Sequence, residues 1–143
     1  MAAEGEKCKL KGVVCICASF DLYSCSKNIE KNMFGIYDMG LGICLKRKLL
    51  EHEEALRPLE NKFKINLKES IKKIKGMRDF DRLITVPTLG YGFPDNYYRT
   101  ASLGPRLNNI KIPTFLFSPL DDPIPAYLFW HSLELIYFLM KML

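Results

Sequence analysis

The sequence predicts an α/β fold in which parallel strands are connected by helices. Two apolar runs without polar alternation, residues 12–19 and 110–117, are typical of strands buried on both faces of a parallel sheet. The second run is followed by an acidic pair, Asp121 and Asp122, next to Pro123. Because open α/β sheets hold their sites at the carboxyl ends of the strands, we expect this pair at a functional edge of the sheet.

The connection between the two strands is predicted to be largely helical. The first strand ends at a loop formed by residues 19–21, and apolar residues then recur near helical spacing from residue 29 to about residue 56. Gly35, Gly40 and Gly42 interrupt this pattern, so we expect more than one helix with breaks among these glycines.

Residues 66–75 are predicted to form a basic amphipathic helix. Its apolar face is Leu67, Ile71 and Ile74, and Gly76 stands where a C-cap glycine is expected. Residues 62–82 carry eight basic and three acidic side chains, which accounts for the net charge of +5. A solvated basic face explains these lysines, and peripheral association with an anionic membrane is the alternative. Nucleic acid is not predicted as a partner, because no aromatic side chains are interleaved with the lysines.

Residues 80–105 are rich in Gly, Pro, Asp, Asn and Tyr, which predicts an ordered loop or short helices. We expect Tyr91, Tyr97 and Tyr98 to pack against the sheet, with polar partners for their hydroxyls, because buried tyrosines need such partners.

The last segment, residues 126–143, is mostly apolar but contains His131, Glu134 and Lys141. These charged and polar side chains favour a buried or interfacial helix over a membrane-spanning one.

Composition predicts one globular domain with free thiols. A chain of 143 residues with 48% apolar and 26% charged content can bury a sizeable core. Residues 1–8 contain no apolar segment of a signal peptide, so we expect reduced cysteines and a cytoplasmic or membrane-associated protein. Cys15 and Cys17 share a strand face, but without a second pair at ligand spacing we predict neither a metal nor a cofactor.

Several residues of types that are common in catalytic and ligand-binding sites lie in sequence contexts that do not suit those roles. Gly40-Leu41-Gly42 lacks the third glycine of a phosphate loop and no strand leads into it. His52 lies in a charged helical stretch, as a surface histidine would. No serine has the Gly-x-Ser-x-Gly context that a nucleophile on a tight turn requires. His131 follows Asp122 by nine residues in an apolar segment, which does not favour it as the catalytic base.

An ordered set of residues resembles the abhydrolase-domain esterases and lipases, an α/β-hydrolase family related to bacterial YheT and the plant embryogenesis-associated hydrolases. The set spans more than forty residues in the second half of the chain. It consists of Phe80-Asp81, Thr85, Gly90-Tyr91, Tyr97-Tyr98, Ala101-Ser102, Ile112-Pro113-Thr114 and Asp121-Asp122-Pro123. Upstream, residues 4–8 and the strand ending at Ser19-Phe20-Asp21-Leu22 are similar to the segment after the family's nucleophile helix.

The resemblance implies a partial α/β-hydrolase fold with an incomplete sheet. Residues 1–125 would be the C-terminal portion of a hydrolase domain, and residues 126–143 a divergent apolar tail. The implied activity is hydrolysis of carboxylic esters by a Ser-His-Asp mechanism, with an acyl ester or lipid as substrate of the complete domain. The implied catalytic acid is Asp122, with Asp121 as the alternative, and its role is to orient the histidine and stabilise the imidazolium.

The sequence departs from the family pattern at two places. The nucleophile turn of the family would lie before residue 1, and its glycine-flanked histidine would lie one strand beyond the acid. Two interpretations remain open: the chain is part of an esterase or lipase, or it is a non-catalytic remnant that acts in an interaction or at a membrane.

Overall fold

The chain divides into two compact units. The computed structural model describes residues 3–117 and residue 124. One unit comprises Met1–Asn28 and Ala101–Leu143, and the other comprises Ile29–Thr100. The acidic pair at residues 121 and 122 and the apolar segment 126–143 lie outside the described residues. The division at residue 125 inferred from the resemblance therefore stays a prediction.

The first unit contains the predicted parallel sheet. Strand β1, Val13–Ile16, pairs in parallel with strand β2, Thr114–Phe117. The register aligns Val13 with Thr114 and Ile16 with Phe117. Both strands lie inside the apolar runs predicted for them, so the positions and the parallel direction are confirmed. Pro113 precedes β2, and its carbonyl oxygen accepts a hydrogen bond of 3.0 Å from the amide of Val13.

One face of this sheet is exposed, contrary to the expectation that both faces would be buried. Val13 and Leu116 pack against a core formed by Phe20, Leu107, Ile110 and Ile112. On the opposite face Val14, Ile16 and Phe115 remain largely exposed. The prediction was wrong because an apolar run shows only that both faces of a strand could be buried. The described segments of this unit cover only one face of the sheet.

The connection between the strands is helical, as predicted. The α-helices are α1 (Leu22–Lys31), α2 (Ile36–Glu51), α3 (Glu53–Phe63), α4 (Leu67–Lys73), α5 (Met77–Phe80), α6 (Val86–Leu89) and α7 (Pro94–Ala101). Short 3-10 segments are Gly5–Lys7, Asn32–Gly35 and Gly104–Asn109, and a π-helical segment, Asp81–Thr85, joins α5 to α6. None of the helices among the described residues has the length and apolar character needed to cross a membrane.

Only one of the three glycines in the 29–56 region interrupts the helices. Met33, Phe34 and Gly35 adopt φ values of 46°, 56° and 77°, which separate α1 from α2. Gly40 and Gly42 lie within α2. Gly42 serves close packing instead, because a Cβ placed there would lie 2.7 Å from the carbonyl oxygen of Lys75.

The predicted C-cap role of Gly76 was wrong. Helix α4 begins after Asn66, whose side chain accepts a hydrogen bond of 3.0 Å from the amide of Glu69, and it ends at Lys73 with Ile74 as its C-cap. Gly76 instead precedes α5 in extended backbone, with φ −151°. The carboxylate of Asp38 occupies the space where a Gly76 side chain would lie and accepts a hydrogen bond of 2.8 Å from the amide of Met77. Tertiary packing, and not a role as a helix cap, therefore explains why residue 76 is a glycine.

Candidate functional site

The candidate site is the carboxyl edge of the two-stranded sheet. Because the strands are parallel and in register, β1 and β2 end side by side at Ile16 and Phe117. The described part of this edge is the turn from Cys17 to Asp21. Cys17 has φ 54°, so the strand alternation that predicted a shared face for Cys15 and Cys17 ends before Cys17.

Backbone and side-chain hydrogen bonds hold the turn after β1 in place. The carbonyl of Phe20, a buried core residue, accepts a hydrogen bond of 2.9 Å from the amide of Gly104. The buried hydroxyl of Ser102 accepts one of 3.0 Å from the amide of Leu22. These contacts connect the turn to the segment that leads toward β2, and they fix the backbone at this edge.

The N-terminus of α1 at this edge is already capped. The carboxylate of Asp21 accepts hydrogen bonds from the amide of Ser24, at 3.1 Å, and from its hydroxyl, at 2.5 Å. The carbonyl of Asp21 accepts a further bond of 3.0 Å from the amide of Cys25. The amides of Leu22, Ser24 and Cys25 in the first turn of α1 thus all donate to acceptors within the chain.

The predicted catalytic acid and its alternative, Asp122 and Asp121, lie outside the described residues, and so does His131. Along the chain Asp121 follows the end of β2 after three residues. His52 is exposed at the junction of α2 and α3, as the charged context of its sequence predicted. Within residues 3–117 and 124, no three His, Cys, Asp or Glu side chains are grouped so that they could hold a metal ion.

A second polar cluster lies in the helical unit and involves residues of the 80–105 region. The carboxylate of Asp81, 5% exposed, accepts a hydrogen bond of 2.7 Å from the hydroxyl of the buried Tyr98. The guanidinium of Arg78 lies 5.8 Å from the centre of the Tyr98 ring. Arg78 also forms ion pairs with Asp95 and with Glu30, the latter at 3.7 Å.

The cluster shifts the acid–base properties of two of its members. Burial lowers the pKa of Arg78, but the hydrogen bond and charge of Asp95, together with Glu30, outweigh that effect, and the pKa stands above its usual value. Burial, followed by the charge of Asp81 and by Tyr91, raises the pKa of Tyr97. Both shifts favour the forms that Arg78 and Tyr97 already have at neutral pH, the guanidinium cation and the neutral phenol.

Sequence reasoning placed these residues in the resemblance but did not predict their pairing. Tyr98 has the polar hydroxyl partner that was expected, whereas contact of the three tyrosines with the sheet stays a prediction. The sequence feature that could have suggested the pairing is spacing: Arg78 and Asp81 are three residues apart, and so are Asp95 and Tyr98. Such spacing places both residues of a pair on one helix face but does not show that the two faces meet.

Comparisons with known proteins identify relatives over most of the chain. A monoacylglycerol lipase of Saccharomyces cerevisiae is 32% identical over 126 residues, which are 87% of this chain and 28% of the relative. YheT of Escherichia coli, a candidate esterase, is 35% identical over 127 residues, or 86% of this chain and 35% of the relative. The human phospholipase ABHD3 is 27% identical over 119 residues, or 82% of this chain and 28% of the relative.

The chain thus spans 28% to 35% of the length of these three relatives. No protein-family model matches it, and no solved structure matches it significantly. The parallel strand pair with its helical connection is a partial α/β fold, consistent with these α/β-hydrolase relatives. Over the matched residues, the chain belongs to the abhydrolase-domain family of esterases and lipases.

Proposed function

We propose that this chain forms the acid-bearing part of a carboxylic ester hydrolase of the lipase or acylesterase type, with a Ser-His-Asp mechanism. One observation carries the proposal: β2 lies parallel to β1 and ends at the carboxyl edge three residues before the acidic pair. Loops at this edge of an α/β sheet are where such folds carry their catalytic groups. The lipase and phospholipase names of the relatives support the reaction class.

In this proposal Asp122 is the catalytic acid and Asp121 the alternative. The carboxylate accepts a hydrogen bond from the imidazole, holds its tautomer and stabilises the imidazolium that forms when the serine proton is taken. No serine in this sequence has the nucleophile-turn context, so the proposal requires the serine and the histidine from sequence outside these 143 residues. The proposed substrate is an acyl ester of a lipid, of the kind that the names of the relatives describe.

A chimera tests the assignment of the acid. In it, this chain replaces the matching 126-residue region of the yeast monoacylglycerol lipase, and hydrolysis of a monoacylglycerol is measured. We expect Asp122→Asn to lower kcat by about four orders of magnitude, because the histidine loses the group that fixes its tautomer. Asp121→Asn is the matched control and should cost far less. A larger loss at Asp121 would identify that carboxylate as the acid, and small losses at both would overturn the proposal.

The non-catalytic interpretation is the second candidate, and the exposed apolar sheet face of Val14, Ile16 and Phe115 favours it as a surface for interaction. The two candidates differ in their genomic context. Coding sequence that supplies Gly-x-Ser-x-Gly upstream and a glycine-flanked histidine downstream favours the hydrolase. Peripheral membrane association is compatible with both candidates, and the sequence suggested the lysines of residues 66–75 as its basis.

A further inference from the structure

Helix α2 has two apolar surfaces, centred about 100° apart around its axis, and only one of them is buried. Gly42 and Leu49 are buried on the side that packs within the unit. On the other side Ile36, Met39, Ile43 and Leu50 are exposed, and at 100° per residue they lie within about 60° of one another around the helix. We call these four residues the exposed stripe. A helix with apolar residues on both sides normally has both covered, by protein or by lipid.

The turn that precedes the exposed stripe presents two further apolar side chains. Met33 and Phe34 both adopt the left-handed backbone conformation, which is unfavourable for residues other than glycine. The Phe34 side chain is 99% exposed and Met33 is largely exposed as well. A strained turn that directs an aromatic side chain fully into solvent contributes nothing to the core, which indicates a role in binding.

Positive charge borders the exposed stripe. Lys46 and Arg47 lie about 20° outside its two edges on the helix surface, and Lys31 is exposed beside the Met33–Phe34 turn. The acidic residues of α2 lie elsewhere. Asp38 caps α5 from a different side of the helix, and Glu51 at the C-terminal end pairs with Lys48 at 2.7 Å and with Arg47 at 3.5 Å. An apolar surface with lysine and arginine at its margins is complementary to an anionic lipid interface.

The basic helix α4, by contrast, lacks an apolar face to insert. Leu67 and Ile74 are buried. Lys72 and Lys73 lie 3.4 Å and 3.9 Å from the carboxylate of Glu69, as Arg47 of α2 lies 3.5 Å from that of Glu51, so the exposed apolar side chains and not the charges distinguish α2 from α4. Of the two basic regions of this unit, only α2 combines cations with exposed apolar side chains.

We propose that the exposed stripe and the Met33–Phe34 turn form a docking surface for an anionic membrane, with Phe34 inserted among the acyl chains and Lys46 and Arg47 at the headgroups. The proposal deepens the proposed function by assigning the surface on which a lipid-hydrolysing protein would meet its substrate. It differs from the sequence expectation, which assigned membrane contact to residues 66–75 and to the apolar segment 126–143.

Vesicle co-sedimentation of the full chain tests the proposal. The vesicles consist of ether-linked phosphatidylcholine, alone or mixed with ether-linked phosphatidylserine, so that no carboxylic ester is present to be hydrolysed. Phe34→Ser should weaken binding to the anionic vesicles about tenfold or more, because an aromatic side chain no longer leaves water. Phe93→Ser is the matched control, since Phe93 is 71% exposed in the same unit, and it should leave binding unchanged.

A charge pair of variants separates the two basic regions. Lys46→Gln with Arg47→Gln should weaken binding to anionic vesicles by about tenfold and leave the weak binding to neutral vesicles unaltered. Lys72→Gln with Lys73→Gln should have a much smaller effect. Thermal unfolding of each variant is compared with that of the parent chain, and because the altered side chains are exposed, apart from the half-buried Lys46, the transitions should nearly coincide.

Three outcomes would overturn the proposal. The first is an equal loss of binding in Phe34→Ser and Phe93→Ser, and the second is a larger loss in the α4 variant than in the α2 variant. The third is an unchanged affinity for vesicles together with altered self-association of Phe34→Ser in sedimentation velocity, which would make a second protein copy the occupant. Vesicle binding with the predicted pattern but no activity of the chimera would sustain this surface and count against the proposed hydrolase alone.

Discussion

At the scale of single residues, the buried pair of Asp81 and Tyr98 links the chain on either side of the glycine-rich segment between α6 and α7. A carboxylate that is 5% exposed loses much of its hydration, so its hydrogen bond of 2.7 Å to the Tyr98 hydroxyl offsets an unfavourable burial. Arg78, close to the Tyr98 ring, adds favourable charge near the same site. The net free energy that the hydrogen bond contributes to folding is therefore small. Loss of one partner, however, would leave the other buried without a hydrogen bond and would destabilise the unit.

Removal of the Tyr98 hydroxyl tests this account. Tyr98→Phe keeps the ring but takes one donor from the buried carboxylate, and we expect the free energy of unfolding to fall by about 1–3 kcal/mol. Chemical denaturation monitored by circular dichroism measures the change. Tyr97→Phe, on the neighbouring and less buried ring, is the control and should cost under about 0.5 kcal/mol. Similar costs at both positions would show that the hydrogen bond to Asp81 is unimportant.

The pKa of Tyr97 gives a pH dependence with a definite sign. Burial and the charge of Asp81 raise this pKa in the folded state, so the folded chain binds the phenolic proton more tightly than the unfolded chain. The resulting stability is present below the unfolded pKa of about 10 and is lost as the pH rises through the folded value. We expect the free energy of unfolding to decline less steeply above about pH 10 in Tyr97→Phe than in the parent. A steeper decline in the variant would contradict the direction of the shift.

At the scale of elements, the close approach of α2 to the segment between α4 and α5 depends on two glycines. A Cβ at Gly42 would lie 2.7 Å from the carbonyl oxygen of Lys75 and 2.8 Å from the Cα of Gly76, both backbone atoms that cannot rotate away. A Cβ at Gly40, in the same helix, would meet nothing within 4 Å. The two glycines thus look equivalent in the sequence but differ in what surrounds them.

An alanine at each position should have opposite effects. Gly42→Ala should destabilise the chain by about 1–3 kcal/mol, because the added methyl group forces backbone apart. Gly40→Ala should stabilise it by about 0.5–1 kcal/mol through better helix propensity. Urea denaturation of both variants gives the comparison. If Gly42→Ala also stabilised the chain, the close approach of the two segments would be refuted.

The elements that the sequence predicted well are those determined by local pattern. The two parallel strands follow from apolar runs such as 110–117, and the amphipathic helix follows from the spacing of Leu67, Ile71 and Ile74. Gly76 was misassigned because the carboxylate of Asp38, 38 positions earlier in the chain, determines its role. Contacts between residues so far apart in the chain cannot be predicted from the residues that neighbour each of them in the sequence. The acid–tyrosine pair was missed for the same reason, and the predicted acid Asp122 lies outside the described residues.

At the scale of the whole molecule, each unit leaves an apolar surface in solvent. In the helical unit it is the exposed stripe of α2, and in the other unit it is the sheet face formed by Val14, Ile16 and Phe115. Exposed contiguous apolar surfaces typically mark sites of contact with protein or lipid. We therefore expect the 143-residue chain by itself to associate.

The sheet face provides the test of that tendency. In sedimentation velocity we expect the 143-residue chain to associate as its concentration rises, because uncovered apolar strands offer both a face and an edge for pairing. Val14→Thr with Ile16→Thr keeps β-branched side chains in β1, and therefore its strand propensity, while it removes apolar surface. This variant should shift the distribution toward monomer. Thr88→Val, away from the sheet in sequence and half-buried, should not. A parent chain that stays monomeric at all concentrations and unfolds in one cooperative transition would show that this face needs no cover, and it would favour the interpretation of the chain as an independently folded, non-catalytic protein.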